Sequence, residues 1–127
     1  MTPTMAFAAA TRSVSICAQL GLVGRVFADT QEAFAITEGP TDIVKRYFDA
    51  VSADALVRTI ILHSDMIINT REFSDYSVWL SLQKPVQFSG SVKKLTPETL
   101  PHALPAKTSV RLKMMIEAYL KDGFLKV

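Results

Sequence analysis

The chain has 127 residues, 49% of them hydrophobic and 20% charged, which excludes a disordered protein and fits a single domain over residues 1–127. Its 14 basic and 12 acidic residues leave a net charge of +2, and the basic residues are scattered, so we expect no nucleic-acid partner. No apolar run approaches the ~20 residues of a membrane span, so we expect no membrane partner. The single cysteine, Cys17, excludes an internal disulfide, so we expect a cytoplasmic protein.

The first predicted elements are a helix and a β-hairpin. Thr2 and Pro3 are a helix-start signal, because a hydroxyl caps free N–H groups and proline suits the first helical turn. Residues 3–19 then run Ala-rich, with apolar side chains almost all round, which indicates a helix buried on more than one side. Residues 22–28 and 33–37 are the predicted strands of the hairpin, joined by a polar turn.

The clearest local signal is an amphipathic helix that begins after Gly39 and Pro40. Asp42 in its first turn suits the helix dipole. Apolar residues recur along it with helical spacing and predict one buried stripe. The stripe consists of Ile43, Val44, Tyr47, Phe48 and Val51.

The second half of the chain predicts further strands and a last helix. Residues 57–62 form a short β-branched run, and residues 76–82 alternate as in a strand. Trp79 points to the opposite face from its apolar neighbours, so either the chain's own C-terminal helix or a partner subunit must cover it. That helix is predicted over residues 109–121, with Leu112, Met115, Ile116 and Tyr119 on its apolar face.

This order of elements indicates an α+β fold, with helices on one face of a mostly antiparallel sheet and an extra C-terminal helix. Three short motifs add a family resemblance. Gly21 and Gly24 match a G-[IV]-T-G pattern, Glu38-Gly39 matches L-E-G, and Phe73 to Val78 match F-x-x-W-x-M. Through these motifs, residues 21–82 resemble the BLUF family, the sensors of blue light using flavin. The resemblance implies a ferredoxin-like βαββαβ sandwich, followed here by a C-terminal extension over residues 85–127.

The resemblance also implies a flavin site between the helix that ends near Gln19 and the helix that starts near Thr41. The family's flavin-contacting positions correspond here to Cys17, Ala35, Tyr76 and Val78. Where the family carries a light-sensing glutamine, Ala35 has no amide to bond the flavin ring. Burying the polar edge of a flavin against apolar side chains costs ~1–3 kcal/mol for each unpaired group. We therefore expect these positions to be non-functional and the protein to hold no cofactor.

The family's first strand, which carries its light-sensing tyrosine, has no counterpart in the chain. In a ferredoxin-like sheet that strand is central, and its loss leaves unpaired strand edges. Either residues 86–92 or a strand from a second copy of the chain must fill the gap. The second alternative is a reason to expect a dimer.

We expect a divergent BLUF-like regulatory or protein-interaction module that has lost flavin binding and light sensing, with another copy or a signalling protein as partner. The alternative is an FAD-binding blue-light sensor with an unusual pocket. A small hydrolase in the manner of acylphosphatases is a third hypothesis, but the chain lacks a phosphate-cradling loop. His63 and His102 have no ligands at metal spacing, so we expect no metal, no catalytic residues and no enzyme. Glu38 is interpreted as a helix-entry residue that orders the turn or caps backbone N–H groups, in preference to a catalytic role.

Overall fold

A computed structural model describes residues 2–53, 71–82, 88, 90–106 and 108–122. The elements in chain order are α1 (Pro3–Leu20), β1 (Val23–Ala28), β2 (Ala33–Glu38), α2 (Thr41–Ser52), β3 (Tyr76–Leu80), β4 (Val92–Lys94), α3 (Leu100–Ala103) and α4 (Val110–Asp122). The predicted strand over 57–62 lies outside the described residues. None of the described helices is both long and apolar enough to cross a bilayer.

The ends of α1 follow the sequence signals. The Thr2 hydroxyl accepts a hydrogen bond from the Met5 N–H at 3.1 Å, which satisfies one of the free donors of the first turn. Gly21 adopts the left-handed conformation, φ 71°, and ends the helix. The buried residues of α1, Ala6, Ala10 and Cys17, lie on one face, so the prediction of a helix buried on more than one side is wrong, because alanines and single apolar residues also occupy exposed helix positions.

The described strands form one mixed sheet in the order β2-β1-β3-β4. β1 pairs antiparallel with β2, while the β1–β3 and β3–β4 pairs are parallel. The α+β class is confirmed, and the helices packed on this sheet are compatible with a ferredoxin-like arrangement. The expectation of a mostly antiparallel sheet is wrong for the described strands. Strand direction depends on where the chain re-enters the sheet, and alternation within a strand carries no such information.

The central strand β1 is paired on both of its edges within one chain. β3 lies beside it, with Phe27 level with Trp79 and Val26 level with Val78. Residues 76–80 thus supply the second neighbour of β1. β2 lies at one edge of the described sheet, so the two alternatives for the missing strand, residues 86–92 or a second copy of the chain, stay predictions.

Two apolar cores lie on opposite faces of the sheet. The first core lies beneath α1 and α2 and contains Ala10, Cys17, Leu22, Ala28, Tyr76, Val78, Leu80 and Val92. The second core lies beneath α3 and α4 and contains Phe27, Phe34, Trp79, Leu95, Ala103 and Ile116. Helices therefore cover both faces, and not one face as predicted. Neighbouring residues of β1 and β3 point to opposite faces and are buried on both, so the sheet is covered on both sides.

Trp79 is covered by the chain's own C-terminal helices. Its side chain packs in the second core with Ile116 of α4 and Ala103 of α3. Its indole N–H donates to the Ser77 hydroxyl at 3.0 Å, so the polar edge of the ring is satisfied inside the sheet. Of the two alternatives for Trp79, the partner subunit is not needed.

Candidate functional site

The first core contains a cluster of polar side chains between α1, α2 and β3. Three of them, Cys17, Tyr47 and Tyr76, lie close enough to shift one another's pKa values, and Ser13 also acts on the pKa of Tyr47. We refer to Cys17, Tyr47 and Tyr76 as the Cys–Tyr cluster. Cys17 and Tyr76 are buried, whereas Tyr47 is half-buried. The thiol and the two phenol groups thus lie together at a core that is otherwise apolar.

The local sequence explains how each member reaches the cluster. Cys17 lies seven residues after Ala10 on α1, so both residues share the helix face that packs on the sheet. Tyr76 begins β3 on the same sheet face as Val78 and Leu80. Tyr47 belongs to the apolar stripe of α2, which packs against that core from above.

Burial sets the acidity of the cluster. Loss of water around the thiol raises the pKa of Cys17, and the hydrogen bonds from Tyr47 and Tyr76 offset part of this rise. Burial likewise raises the pKa of Tyr47, with Cys17 adding to the effect. Burial raises the pKa of Tyr76 most, followed by the negative charges that Tyr47 and Cys17 would carry. All three groups are therefore neutral near pH 7, and the thiol is a poor nucleophile.

These shifts predict that the protein loses stability in alkali. In the unfolded chain the groups ionise near their ordinary pKa values, 9.0 for cysteine and 10.0 for tyrosine, while the folded chain keeps their protons. The contribution of these three groups to the free energy of unfolding is therefore fully present below about pH 8 and is lost as the pH rises above about 9. For Tyr76 alone the loss reaches about 1.4 kcal/mol per pH unit once the pH exceeds the ordinary tyrosine value of 10.0. Urea unfolding at a series of pH values measures the slope.

The Tyr76→Phe variant is the control for this dependence. It removes the hydroxyl but keeps the ring in the first core, so its unfolding free energy should fall less steeply above about pH 10. The ionisable groups outside the Cys–Tyr cluster are common to both proteins and cancel in the comparison, whereas Cys17 and Tyr47 lose the influence of the Tyr76 hydroxyl. Equal slopes for the two proteins would contradict the raised pKa of Tyr76.

The structure brings together three of the four positions that the family resemblance assigns to a flavin site. Cys17, Tyr76 and Val78 lie in the first core. Ala35 lies apart, exposed on β2 and level with Val26 of β1. Tyr47 was predicted only as part of an apolar stripe. One feature of the sequence could have identified it: Tyr47 places a hydroxyl on a helix face that is otherwise apolar, and a buried hydroxyl needs a polar partner.

A second polar constellation fixes the turn that leads into β3. The buried Glu38 carboxylate accepts hydrogen bonds from the backbone N–H groups of Glu72 and Phe73, both at 3.0 Å. The interpretation of Glu38 as a cap for backbone N–H groups is confirmed. The capped groups belong to the turn before β3, and not to the helix that follows Glu38 in the sequence.

The buried Arg25 secures the same turn from the other side, and sequence reasoning missed it. Its guanidinium donates to the carbonyl oxygens of Ala103 at 2.7 Å, Gly24 at 2.8 Å and Asp75 at 2.9 Å. It also pairs with the Asp75 carboxylate at 2.9 Å and lies 5.0 Å from the centre of the Phe73 ring. All of these partners hold the backbone turn and the neighbouring elements in place, so we assign Arg25 a role in stabilising the fold. The candidate site is the Cys–Tyr cluster.

The described residues contain no group of three or more His, Cys, Asp or Glu side chains placed to hold a metal ion. His102 lies exposed on α3, and His63 lies outside the described residues. Comparison of the chain with protein-family models, with curated proteins and with solved structures finds no match. The function is therefore argued from the residues and their geometry.

Proposed function

We propose that the chain is a divergent BLUF-like regulatory module that binds a protein partner and has lost flavin binding and light sensing. The observation that carries the proposal is the Cys–Tyr cluster. It occupies the space between α1, α2 and β3, where the family resemblance implies a flavin. Because Cys17, Tyr76 and Tyr47 pack together in the first core, a flavin ring there would have to displace their side chains.

Ala35 supports the same proposal from β2. Its methyl group offers neither a donor nor an acceptor to a flavin ring. Its side chain is exposed and is not part of the first core. The position that senses light in the family thus lacks both the chemistry and the enclosure that sensing requires.

The exposed surface supports a partner-binding role. Several large apolar side chains are exposed on the two longest helices, namely Met5, Ile16 and Leu20 on α1 and Val110 and Met114 on α4. Single exposed apolar residues are common, but those on α1 recur on one side of the helix. Such a stripe is typical of a surface that another protein covers.

One observation favours the alternative, an FAD-binding blue-light sensor. The cluster places two phenols, Tyr47 and Tyr76, beside the implied flavin position. Tyrosine is the residue with which the family senses light, so another tyrosine beside the ring is the one feature that compensates for the missing first strand. This alternative requires the cluster to open and admit the ring.

A visible absorption spectrum separates the two functions. We expect protein that has been incubated with FAD and freed of unbound ligand to be colourless, because Ala35 and the Cys–Tyr cluster offer the ring no free partner. Protein unfolded in urea and treated in the same way measures nonspecific carry-over. A flavin band that shifts to the red under blue light would contradict the proposal and establish the sensor.

A further inference from the structure

α4 is attached to the fold differently from α3, the other helix on the second face of the sheet. The end of α3 is held by the buried Arg25 guanidinium, which donates to the Ala103 carbonyl oxygen at 2.7 Å. At the start of α4, the Ser109 N–H donates to the Glu72 carboxylate at 2.7 Å, and this hydrogen bond is exposed. Water competes for an exposed hydrogen bond, so the bond at α4 holds its helix less firmly than the buried bond at α3.

A buried hydroxyl without a partner lies just before α4. Thr108 is 6% exposed, and its Oγ1 atom has no hydrogen-bond partner among the residues that the structure describes. The Thr108 N–H, by contrast, donates to the Pro105 carbonyl oxygen at 3.0 Å. An unpaired buried hydroxyl opposes the docked position of the helix, because water would hydrate the hydroxyl once the helix moved away.

Release of α4 would leave the described sheet intact. The four described strands precede α3 and α4 in the chain and pair with one another. α4 contributes Leu112, Met115 and Ile116 to the second core, and of these three Ile116 alone is fully buried. An element with few buried side chains can open locally, at a lower free energy than the unfolding of the whole domain.

We propose that α4 is a releasable cover, whose opening uncovers the second face of the sheet for an amphipathic helix of a partner protein. The covered surface includes Phe27 and Trp79, which are 0% and 6% exposed while α4 is docked. This surface already accepts one amphipathic helix, so a partner helix with the same apolar spacing fits it. The inference rests on the proposed function, of which it names the partner's chemistry and the regulation.

Amide hydrogen exchange under native conditions tests whether α4 opens separately. The protection of the α4 amides should be at least about a hundredfold lower than that of the β1 amides, and it should depend little on low concentrations of urea. Thr108→Val replaces the unpaired hydroxyl by a methyl group and should slow exchange in α4 about tenfold. Thr108→Ser is the matched control, because it keeps the hydroxyl and should not slow exchange.

The Glu72 carboxylate should hold the cover closed. Glu72→Gln keeps an oxygen that can accept from the Ser109 N–H but removes the negative charge, and a charged acceptor bonds roughly twice as strongly as a neutral one. Exchange of the α4 amides should therefore rise about threefold. Glu32→Gln is the matched control, because Glu32 is an exposed carboxylate beside the hairpin turn and should leave exchange in α4 unchanged.

A synthetic peptide of residues 108–122 probes the covered surface. The peptide is α4 supplied as a separate molecule, and the fluorescence anisotropy of a label on it measures its binding to the full chain. The Ile116→Ala protein, whose own α4 lacks its buried anchor, should bind the peptide at least about tenfold more tightly than the unchanged protein. A peptide that carries the same Ile116→Ala substitution should bind more weakly to both proteins.

Three results would overturn the inference. These are α4 amides as well protected as those of β1, an exchange rate that Thr108→Val leaves unchanged, and a peptide that binds the Ile116→Ala protein no more tightly than the unchanged protein. None of them bears on flavin, which the absorption spectrum tests separately. A colourless protein with a fixed α4 would keep the interaction module without the cover, whereas a light-responsive flavin protein would overturn the proposed function but not the opening of α4.

Discussion

The Gly24→Ala variant should lose at least about 3 kcal/mol of stability, enough to unfold many small domains. Gly24 adopts φ +149°, and a Cβ built on it would lie 1.9 Å from the carbonyl oxygen of Ile36. Ile36 belongs to β2, so the clash is with backbone that no rotamer change can move. The variant must separate β1 from β2 or rotate Gly24, whose N–H donates to the Asp75 carbonyl at 2.9 Å.

The Gly21→Ala variant is the matched control for Gly24. Gly21 also has a positive φ, +71°, but nothing lies within 4 Å of the position its Cβ would take. It should therefore lose only the conformational cost of a left-handed alanine, about 1 kcal/mol. Urea unfolding of the two variants separates the steric cost from the conformational one. Similar losses in both would show that the β1–β2 contact gives way easily.

The elements that the sequence predicted well are those decided by neighbouring residues. The helix expected over 3–19 is observed as Pro3–Leu20, and the hairpin strands expected over 22–28 and 33–37 are observed as Val23–Ala28 and Ala33–Glu38. The capping hydroxyl of Thr2 and the alternation of apolar residues act within a few positions. Local signals of this kind depend little on which tertiary arrangement the chain adopts.

The direction of β3 and the second layer of helices were not predictable in the same way. Parallel and antiparallel strands share one alternation pattern, so the pairing of β3 with β1 depends on the path of the chain between them. Trp79 indicated that the second face of the sheet needed cover, but the sequence could not decide between the chain's own C-terminal helix and a partner subunit. The packing of Ile116 against Trp79 decided between them.

The candidate site was predicted in part, for a related reason. The family resemblance identified Cys17 and Tyr76, which do meet in the first core. It assigned no role to Tyr47, because the partner of a hydroxyl on an amphipathic helix depends on the element beneath it. Arg25 bonds to a carbonyl 78 positions away in the sequence, a separation that no local pattern encodes.

Replacing Arg25 by methionine should cost about 3 kcal/mol, because hydrogen bonds from a charged donor contribute about 1.5–3 kcal/mol each when their partners are left unpaired. The variant keeps an apolar stem of similar length against Phe73 but removes the guanidinium donor from the carbonyl oxygen of Ala103 and one of the two donors from that of Asp75, which keeps the Gly24 N–H. Those two contacts connect β1 to the end of α3 and to the turn before β3. The loss should therefore loosen both faces of the sheet together.

Arg46→Met is the control for the loss of a charge alone. Arg46 pairs with Asp42 at 3.4 Å, with the two side chains 77% and 71% exposed, so its removal should change stability by no more than about 0.5 kcal/mol. The stability loss of Arg25→Lys should lie between those of Arg25→Met and Arg46→Met. An ammonium keeps the charge but cannot reach Ala103 and Asp75 at once, as the forked guanidinium does. If urea unfolding gave Arg25→Met and Arg46→Met the same loss of unfolding free energy, the buried guanidinium would contribute nothing measurable to stability. The junction of β1, β3 and α3 would then depend on the apolar cores and the Glu38 cap instead.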